Sequence, residues 1–247
     1  MIKIKLGKKI SEGKTKIVYE SNNPNEVILE FKDDITAGDG LKHDIIKDKG
    51  YLNAAISAEF FRILNDKGIP THFKEFIPPR FMMVKKLDML PVEVVCRRIA
   101  AGHLLKRLPI KAGTKFQPGL VELFYKDDEH HDPMINEDHV RILNLGTIAE
   151  ARKIKEITVE VANALAEYLS PYGIVLADFK IEFGRDINNN LVIGDEINGD
   201  SCRLWDEKIE GKIYDKDVYR KGAPLNEVKN TYIELFKTLL QKEPEFE

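Results

Sequence analysis

Residues 177–183 read Ala-Asp-Phe-Lys-Ile-Glu-Phe, and their polarity alternates strictly from one residue to the next. Successive side chains of a β-strand point to opposite faces of a sheet, so this period of two predicts a strand. One face would carry the charged side chains Asp178, Lys180 and Glu182, and the other face the apolar ones. The alternation fits a functional site, and it equally fits the exposed face of a half-buried strand.

A second strand is predicted at residues 191–197, after an asparagine-rich turn. If Asn188 and Asn189 form a two-residue turn, which asparagine tolerates well, then Glu182 pairs with Asp195. Two carboxylates directly opposite each other repel unless a cation neutralises them. A magnesium ion that also binds ATP phosphates would do so. The alternative is a ladder of ion pairs on the protein surface.

Patterns in the rest of the chain predict an α+β fold with two lobes. Residues 9–20 and 26–32 are predicted strands, and apolar residues from Leu52 to Leu64 recur at helical spacing. A long amphipathic helix around residues 154–165 and a final helix at roughly 225–241 follow. Asp88-Met89-Leu90-Pro91 is a predicted hinge, which places a boundary between residues 1–88 and 89–247.

Composition excludes several classes of protein. The 247 residues carry a formal net charge of −3, which is not the basic field of a nucleic-acid-binding domain. No apolar run approaches the roughly 20 residues that span a bilayer. The two cysteines, Cys96 and Cys202, lack zinc-site spacing. We therefore expect a cytoplasmic protein with neither nucleic acid nor membrane as a partner.

Residues 11–16, Ser-Glu-Gly-Lys-Thr-Lys, combine a glycine with two lysines, Lys14 and Lys16, on one face. A glycine-containing hairpin covers nucleotide phosphates in kinases, although the spacing here is not that of a Walker A loop. A pair of exposed lysines is the alternative. The segment Lys85–Met89 closes the first lobe, where a kinase-like cleft would hold adenine.

Arginines mark a second candidate region. Arg97 and Arg98 end an apolar strand just before a predicted short helix at residues 100–108. Free N–H groups at a helix N-terminus together with an arginine suit a monophosphate, although arginine is also common at strand ends. Residues 200–206, Asp-Ser-Cys-Arg-Leu-Trp-Asp, suggest a further part of a site. Arg220 is either another phosphate contact or a surface residue.

Together these segments resemble SAICAR synthetase along most of the chain. The matching stretches come in the order of that family and are EGKTKIVYE (12–20), DDITAGDG (33–40), VKKLDMLPVEVVCRRIAAG (84–102), HDPMIN (131–136), LADFKIEFG (176–184), GDEI (194–197) and DSCRLWD (200–206). Two positions depart from the family pattern. His103 stands where the family usually has serine, and Asn198-Gly199 replaces a proline-containing turn.

The resemblance implies a small kinase-like antiparallel N-terminal lobe, a larger α+β C-terminal lobe and an ATP cleft between them. It implies a ligase of de novo purine biosynthesis that uses ATP to join carboxyaminoimidazole ribonucleotide (CAIR) to L-aspartate, giving SAICAR, ADP and phosphate. A small-molecule kinase using the same cleft is the alternative, and a nucleotide-binding module without catalysis is a third reading. The acidic hairpin, which comprises the predicted strands at residues 177–183 and 191–197, argues against that module. A nucleotide sensor does not need Asp178, Lys180, Glu182 and Asp195 together. A homodimer is expected.

The resemblance also assigns roles to the matching residues. Magnesium would be bound by Glu182 and Asp195, and catalysis would involve Asp178, Lys180 and Asp200. ATP would be held by Lys14, Lys16, Lys85, Lys86, Leu87, Met89 and Lys126. The other substrates would be held by Asp39, Arg97, His103, Arg203 and Arg220, with the three arginines on the ribonucleotide phosphate.

Overall fold

The computed structural model of the chain describes residues 5–38 and 40–246. In this part of the chain, two larger antiparallel sheets and one two-stranded hairpin pack against helices. No helix among these residues combines the length and apolar character needed to cross a membrane. The α+β class and the two-lobed architecture predicted from the sequence are confirmed.

The first sheet has five strands in the order β1-β2-β3-β7-β6. These strands are β1 (Lys9–Glu12), β2 (Lys16–Glu20), β3 (Glu26–Phe31), β6 (Phe73–Ile77) and β7 (Phe81–Lys85). Residues 9–20 form two strands rather than one, because the backbone turns at Gly13, whose N–H donates to the Lys16 carbonyl at 2.8 Å. A separate hairpin follows, made of β4 (Asp34–Ala37) and β5 (Lys42–Ile45). Asp39, one of the predicted substrate-binding residues, lies outside the described residues.

The second sheet has the order β10-β9-β8-β11-β12, and β13 pairs with the other half of β11. Its strands are β8 (Asp88–Ile99), β9 (Lys115–Tyr125), β10 (Met134–Ile135), β11 (Ile174–Arg185), β12 (Leu191–Gly194) and β13 (Cys202–Asp206). The predicted alternation of β11 is confirmed, because Phe179, Ile181 and Phe183 are almost completely buried on one face.

Three long helices cover the sheets and share one core. They are α1 (Lys49–Asp66), α4 (Ile148–Leu169) and α6 (Leu225–Leu240), and the shorter ones are α2 (Leu104–Arg107), α3 (Glu137–Ile142) and α5 (Asp217–Arg220). Short 3₁₀ turns occupy Asp128–His130 and Ser170–Tyr172. Helix α1 packs on the first sheet and also on α4 and α6. The apolar core is therefore continuous between the lobes, and a division at residue 88 stays a prediction.

Residues 88–91, which the sequence predicts to be a hinge, lie within strand β8. Asp88 and Met89 begin β8 and pair with Arg185 and Gly184 of β11. The chain crosses between the two sheets one step earlier, at residues 86–87. A second connection joins the lobes, because the His72 N–H donates to the Ile193 carbonyl at 2.8 Å.

The predicted register of the acidic hairpin is wrong by one residue. Glu182 lies opposite Gly194, not opposite Asp195. The connection is longer than a two-residue turn because the Asp186 carboxylate accepts hydrogen bonds from the N–H groups of Asn188 and Asn190, both at 2.9 Å. This side-chain cap closes the turn at Asp186 and Asn190 and moves the partner strand by one position.

Candidate active site

A cavity of about 880 Å³ lies between the two sheets. One end is apolar and is lined by Ile10, Val18, Val27, Leu29, Val84, Leu87 and Met89. The other end is charged and is formed by β2, β11 and the residues that follow β12. A cavity with an apolar end and a few converging charged groups is the usual form of a small-molecule site.

Lysines and carboxylates alternate across the charged end, and we call this set the lysine chain. Its contacts are Lys126 Nζ to Glu182 Oε2 at 2.8 Å, Lys180 Nζ to Glu182 Oε1 at 2.8 Å and to Asp195 Oδ2 at 3.0 Å, and Lys16 Nζ to Asp195 Oδ1 at 2.8 Å and to Glu196 Oε1 at 3.1 Å. Five residues predicted for the site thus meet here. Glu196 was missed, because one more acidic residue after Asp195 carries no pattern of its own.

The carboxylate of Asp195 contacts the lysines of the lysine chain because the backbone at Asp195 has an unusual conformation. Asp195 follows the last residue of β12 and has a φ of 60°, in the left-handed region that few non-glycine residues adopt. The turned backbone directs its carboxylate toward Lys16 and Lys180, so the two acidic residues share a cation although they do not pair in register. A left-handed aspartate is tolerated because its short side chain hydrogen-bonds locally, and such strain often marks functional positions.

The ionisation of the lysine chain is strongly biased toward the charged forms. Burial alone would lower the pKa of Lys180, but Asp195 and Glu182 outweigh it and raise that pKa well above its ordinary value. Burial would raise the pKa of Asp195, but Lys16 and Lys180 outweigh it and lower that pKa. At neutral pH the lysine chain therefore presents fixed positive and negative charges to the cleft.

The Lys180 ammonium contacts both Glu182 and Asp195, the two residues that would hold a metal ion. Among residues 5–38 and 40–246, no three His, Cys, Asp or Glu side chains form a metal-binding group. Glu182 and Asp195 offer two carboxylates to one cation, and Glu93 lies 3.4 Å from the same ammonium. A hard cation such as Mg²⁺ takes its remaining ligands from phosphate and water, so these two residues fit a metal that enters with a polyphosphate.

A second alternating set, which we call the arginine chain, joins β8, α2, β9, β11, β13 and α5. Its contacts are Arg107 to Glu122 at 2.5 Å, Arg97 to Glu122 at 2.6 Å and to Asp178 at 3.1 Å, Arg203 to Asp178 at 2.7 Å and to Asp217 at 2.9 Å, and Arg220 to Asp217 at 2.6 Å. Four guanidinium groups and three carboxylates leave an excess positive charge. The three arginines predicted for a phosphate are thus brought together with Asp178.

Arg98 and His103 are close in sequence to residues of the arginine chain but are not part of it. The Arg98 guanidinium points to α4, where it donates to the Ala162 carbonyl at 3.1 Å, so it does not join Arg97. His103 is exposed at the start of α2, next to Gly102. Gly102 itself lies directly against the Arg203 guanidinium.

Gly102→Ala should displace Arg203 and weaken the binding of any phosphate-bearing substrate at the arginine chain. A β-carbon at this position would lie 2.4 Å from Arg203 Nη2, and the φ of +57° adds backbone strain. We expect KM for such a substrate to rise on the order of 10-fold, in line with the loss of one charge-assisted hydrogen bond. Gly113→Ala is the matched control, since its φ is +80° but its β-carbon would meet nothing within 4 Å. An equal rise of KM in both variants would contradict the assignment.

Asp200 lies at the side of the cleft and is held in a buried cluster. Lys49 Nζ lies 2.7 Å from its carboxylate and is fully buried, and Tyr232 donates a hydrogen bond to the other oxygen. Burial would raise the pKa of Asp200, but Lys49 and Lys216 outweigh it and lower that pKa to about 2. Lys49 and Tyr232 lie on α1 and α6, far from Asp200 in sequence, and no motif predicts their meeting.

The remaining predicted nucleotide residues line the cavity. Lys14 lies at the turn between β1 and β2, and Lys85 and Lys86 flank the apolar end beside Leu87 and Met89. The Lys85 N–H donates to His72 and the Lys86 N–H to Asn25, at 2.7 and 2.8 Å, which fixes the backbone of this crossing.

Comparison with known proteins gives consistent matches over nearly the whole chain. The family model of SAICAR synthetase matches residues 9–239. A phosphoribosylaminoimidazole-succinocarboxamide synthase of Sulfurisphaera tokodaii is 52% identical over 231 residues, covering 94% of this chain and 97% of that protein. A solved SAICAR synthetase in complex with ADP is 44% identical with a TM-score of 0.89, covering 96% of this chain and 99% of that one. The SAICAR synthetase of Pyrococcus horikoshii is 44% identical with a TM-score of 0.86, covering 94% and 100%.

Proposed function

The chain belongs to the SAICAR synthetase family, and we propose that its cleft catalyses the ATP-dependent joining of CAIR to L-aspartate, which yields SAICAR, ADP and phosphate in purine biosynthesis. One observation carries the assignment to this cleft. The lysine chain lines a cavity large enough for a nucleotide, and β11 carries residues of both chains, with Lys180 and Glu182 in the lysine chain and Asp178 in the arginine chain. A polyphosphate and a second, phosphate-bearing substrate therefore both find cationic groups there.

The chemistry explains why a phosphoryl donor is needed. A carboxylate is a poor electrophile, because its negative charge repels an amine. Transfer of the γ-phosphoryl group of ATP to the CAIR carboxylate breaks a P–O bond of ATP, releases ADP and forms an acyl phosphate. The amine of L-aspartate then attacks the acyl carbon, the C–N bond forms, the amine loses a proton and phosphate leaves.

The lysine chain suits the first of these steps. Phosphoryl transfer depends mainly on holding the reacting groups in line and on neutralising charge on the transferring oxygens. Lys16 and Lys180 present ammonium groups there, and Lys14 covers the phosphates from the glycine turn. The apolar end of the cavity receives the adenine, with residues 85–89 along its edge.

Glu182 and Asp195 would hold Mg²⁺, which would supply charge neutralisation and orientation to the phosphates. Both carboxylates contact one cation, the Lys180 ammonium, and this placement supports the assignment. Glu93 is a further acidic neighbour, 3.4 Å from the same ammonium.

Metal binding should depend on nucleotide. Without a polyphosphate, the ammonium groups of Lys16 and Lys180 already neutralise Asp195, so a divalent cation gains little. We expect Mn²⁺, followed by electron paramagnetic resonance, to bind at least about 10-fold more tightly with ADP present, and Lys180→Met to bind it more tightly than the parent without ADP. Lys208→Met, at an exposed position, is the control. Equal Mn²⁺ affinity with and without ADP would count against the site.

The arginine chain suits the phosphate of CAIR. Arginine binds phosphate oxygens through paired N–H groups, and Asp178 and Asp217 fix the orientation of the guanidinium planes. Asp178 and Lys180 lie on one face of β11, so the ribonucleotide would extend along this face with its carboxylate toward the lysine chain. Asp200 would face the substrates from the opposite wall.

The reaction is tested by ADP release from Mg-ATP and CAIR, with and without L-aspartate. We expect ADP only when CAIR and L-aspartate are both present, and we expect SAICAR in an amount equal to that of ADP. ADP formed with CAIR alone would indicate a kinase or an uncoupled first step. No ADP in either case would refute the proposed function. A homodimer and a cytoplasmic location stay predictions, which sedimentation velocity and cell fractionation would test.

A further inference from the structure

Lys216 is a buried lysine that belongs to neither the lysine chain nor the arginine chain. It lies immediately before α5, and its backbone N–H donates to the Gly199 carbonyl at 2.9 Å. Only 8% of the residue is exposed, yet it lines the cavity beside Asp200 and Ser201. Its side chain therefore reaches the substrate cleft from a position that the protein otherwise shields from water.

No carboxylate within residues 5–38 and 40–246 forms an ion pair with the Lys216 ammonium. The acidic residues around it already pair with other cations: Asp200 with Lys49, Asp217 with Arg203 and Arg220, and Glu196 with Lys16. Burial lowers the pKa of Lys216. An unpaired buried cation destabilises a protein, so its presence in a cleft indicates a ligand that brings the missing anion.

The position of Lys216 narrows the class of that anion. It lies between the two chains, with Glu196 of the lysine chain and Arg220 of the arginine chain among its charged neighbours. The lysine chain suits a polyphosphate and the arginine chain a phosphate monoester. The third substrate of the proposed reaction is an amino acid with two carboxylates, and its amine must reach the activated carbon between those two regions.

We propose that the Lys216 ammonium binds a carboxylate of the L-aspartate substrate and so helps to position the attacking amine. This inference rests on the proposed function. It also accounts for the lack of a protein partner, since a lysine that was permanently paired could not exchange one substrate for the next. The role is one of substrate binding, because the carboxylates of L-aspartate take no part in the bond that its amine forms.

The test is Lys216→Met, which keeps most of the side-chain volume and removes the charge. We expect KM for L-aspartate and the inhibition constant of succinate, a dicarboxylate without the amine, each to rise on the order of 10- to 100-fold, as for one desolvated charge-assisted hydrogen bond. KM for ATP and for CAIR should change little. Lys216→Arg should restore part of the affinity.

Thermal unfolding separates a binding role from a structural one. Because Lys216 has no ion-pair partner among residues 5–38 and 40–246, Lys216→Met should leave the melting temperature unchanged or raise it. Lys221→Met is the control and should alter neither KM nor Tm. Lys221 lies five residues after Lys216, is exposed and forms no ion pair among the described residues. A lower Tm of Lys216→Met with unchanged KM values would assign Lys216 a structural role and overturn the inference.

Two further outcomes are decisive. A rise of KM for CAIR instead of L-aspartate would assign Lys216 to the ribonucleotide and overturn the inference, while SAICAR formation by the parent enzyme would still support the proposed function. If the parent enzyme formed no SAICAR, the proposed function would fail and the inference would fail with it.

Discussion

Asp195→Asn is expected to reduce kcat by on the order of 10³-fold while the protein stays folded, since removing one preorganised charge from a phosphoryl-transfer site has effects of this size. The carboxylate is held by Lys16 at 2.8 Å and Lys180 at 3.0 Å, and together with Glu182 and Glu93 it surrounds the Lys180 ammonium. Asparagine keeps the shape and tolerates the φ of 60°. Lost turnover would then report the charge and not a distorted backbone.

The measurement is steady-state ADP formation together with Mn²⁺ binding in the presence of ADP. Both should fall in Asp195→Asn and in Glu182→Gln. Asp138→Asn is the matched control, because its side chain is exposed on α3 and lies away from the cleft. Near-normal turnover of Asp195→Asn at ordinary Mg²⁺ concentrations would remove Asp195 from the metal site.

Arg203→Met should raise KM for CAIR roughly 100-fold, as for the loss of a charge-assisted contact to phosphate. It should also lower the free energy of unfolding by roughly 3 kcal/mol, since Asp178 would lose one of its two arginine partners while staying buried. Arg203 lies at the centre of the arginine chain, 2.7 Å from Asp178 and 2.9 Å from Asp217.

A double variant separates these two effects. Arg203→Met with Asp178→Asn removes the unpaired charge, so stability should recover in part while ribonucleotide affinity stays low. Chemical denaturation and KM measurements on the four proteins of this cycle give both quantities. Recovery of KM together with stability would mean that Arg203 acts only as a structural partner of Asp178.

The acidic hairpin shows how far sequence reasoning reaches. The alternation of residues 177–183 predicted β11 and its charged face correctly, because side-chain direction along a strand is a local property of the backbone. The register was predicted one residue off, because it depended on the Asp186 side chain, which closes a longer turn through Asn188 and Asn190. That contact depends on a rotamer, which no spacing rule contains.

The resemblance named the lysines, arginines and carboxylates of the cleft, but not their partners. Glu122 and Arg107, on β9 and α2, fix Arg97. Lys49 and Tyr232, on α1 and α6, enclose Asp200. Each of these pairs joins positions far apart in the chain, so no window of sequence records them.

The sequence by itself determined the α+β class, most helices and strands, the charged face of β11 and the family. These follow from periodicity and from short motifs, in which each signal lies within a few adjacent residues. Only the tertiary structure decided which cation holds which carboxylate and that Asp195 turns back to share Lys180 with Glu182. It also decided that no carboxylate in the described part of the chain pairs with Lys216. Ion pairs form over about 3 Å, so their choice depends on how separately encoded elements pack, and a shift of one residue changes every partner.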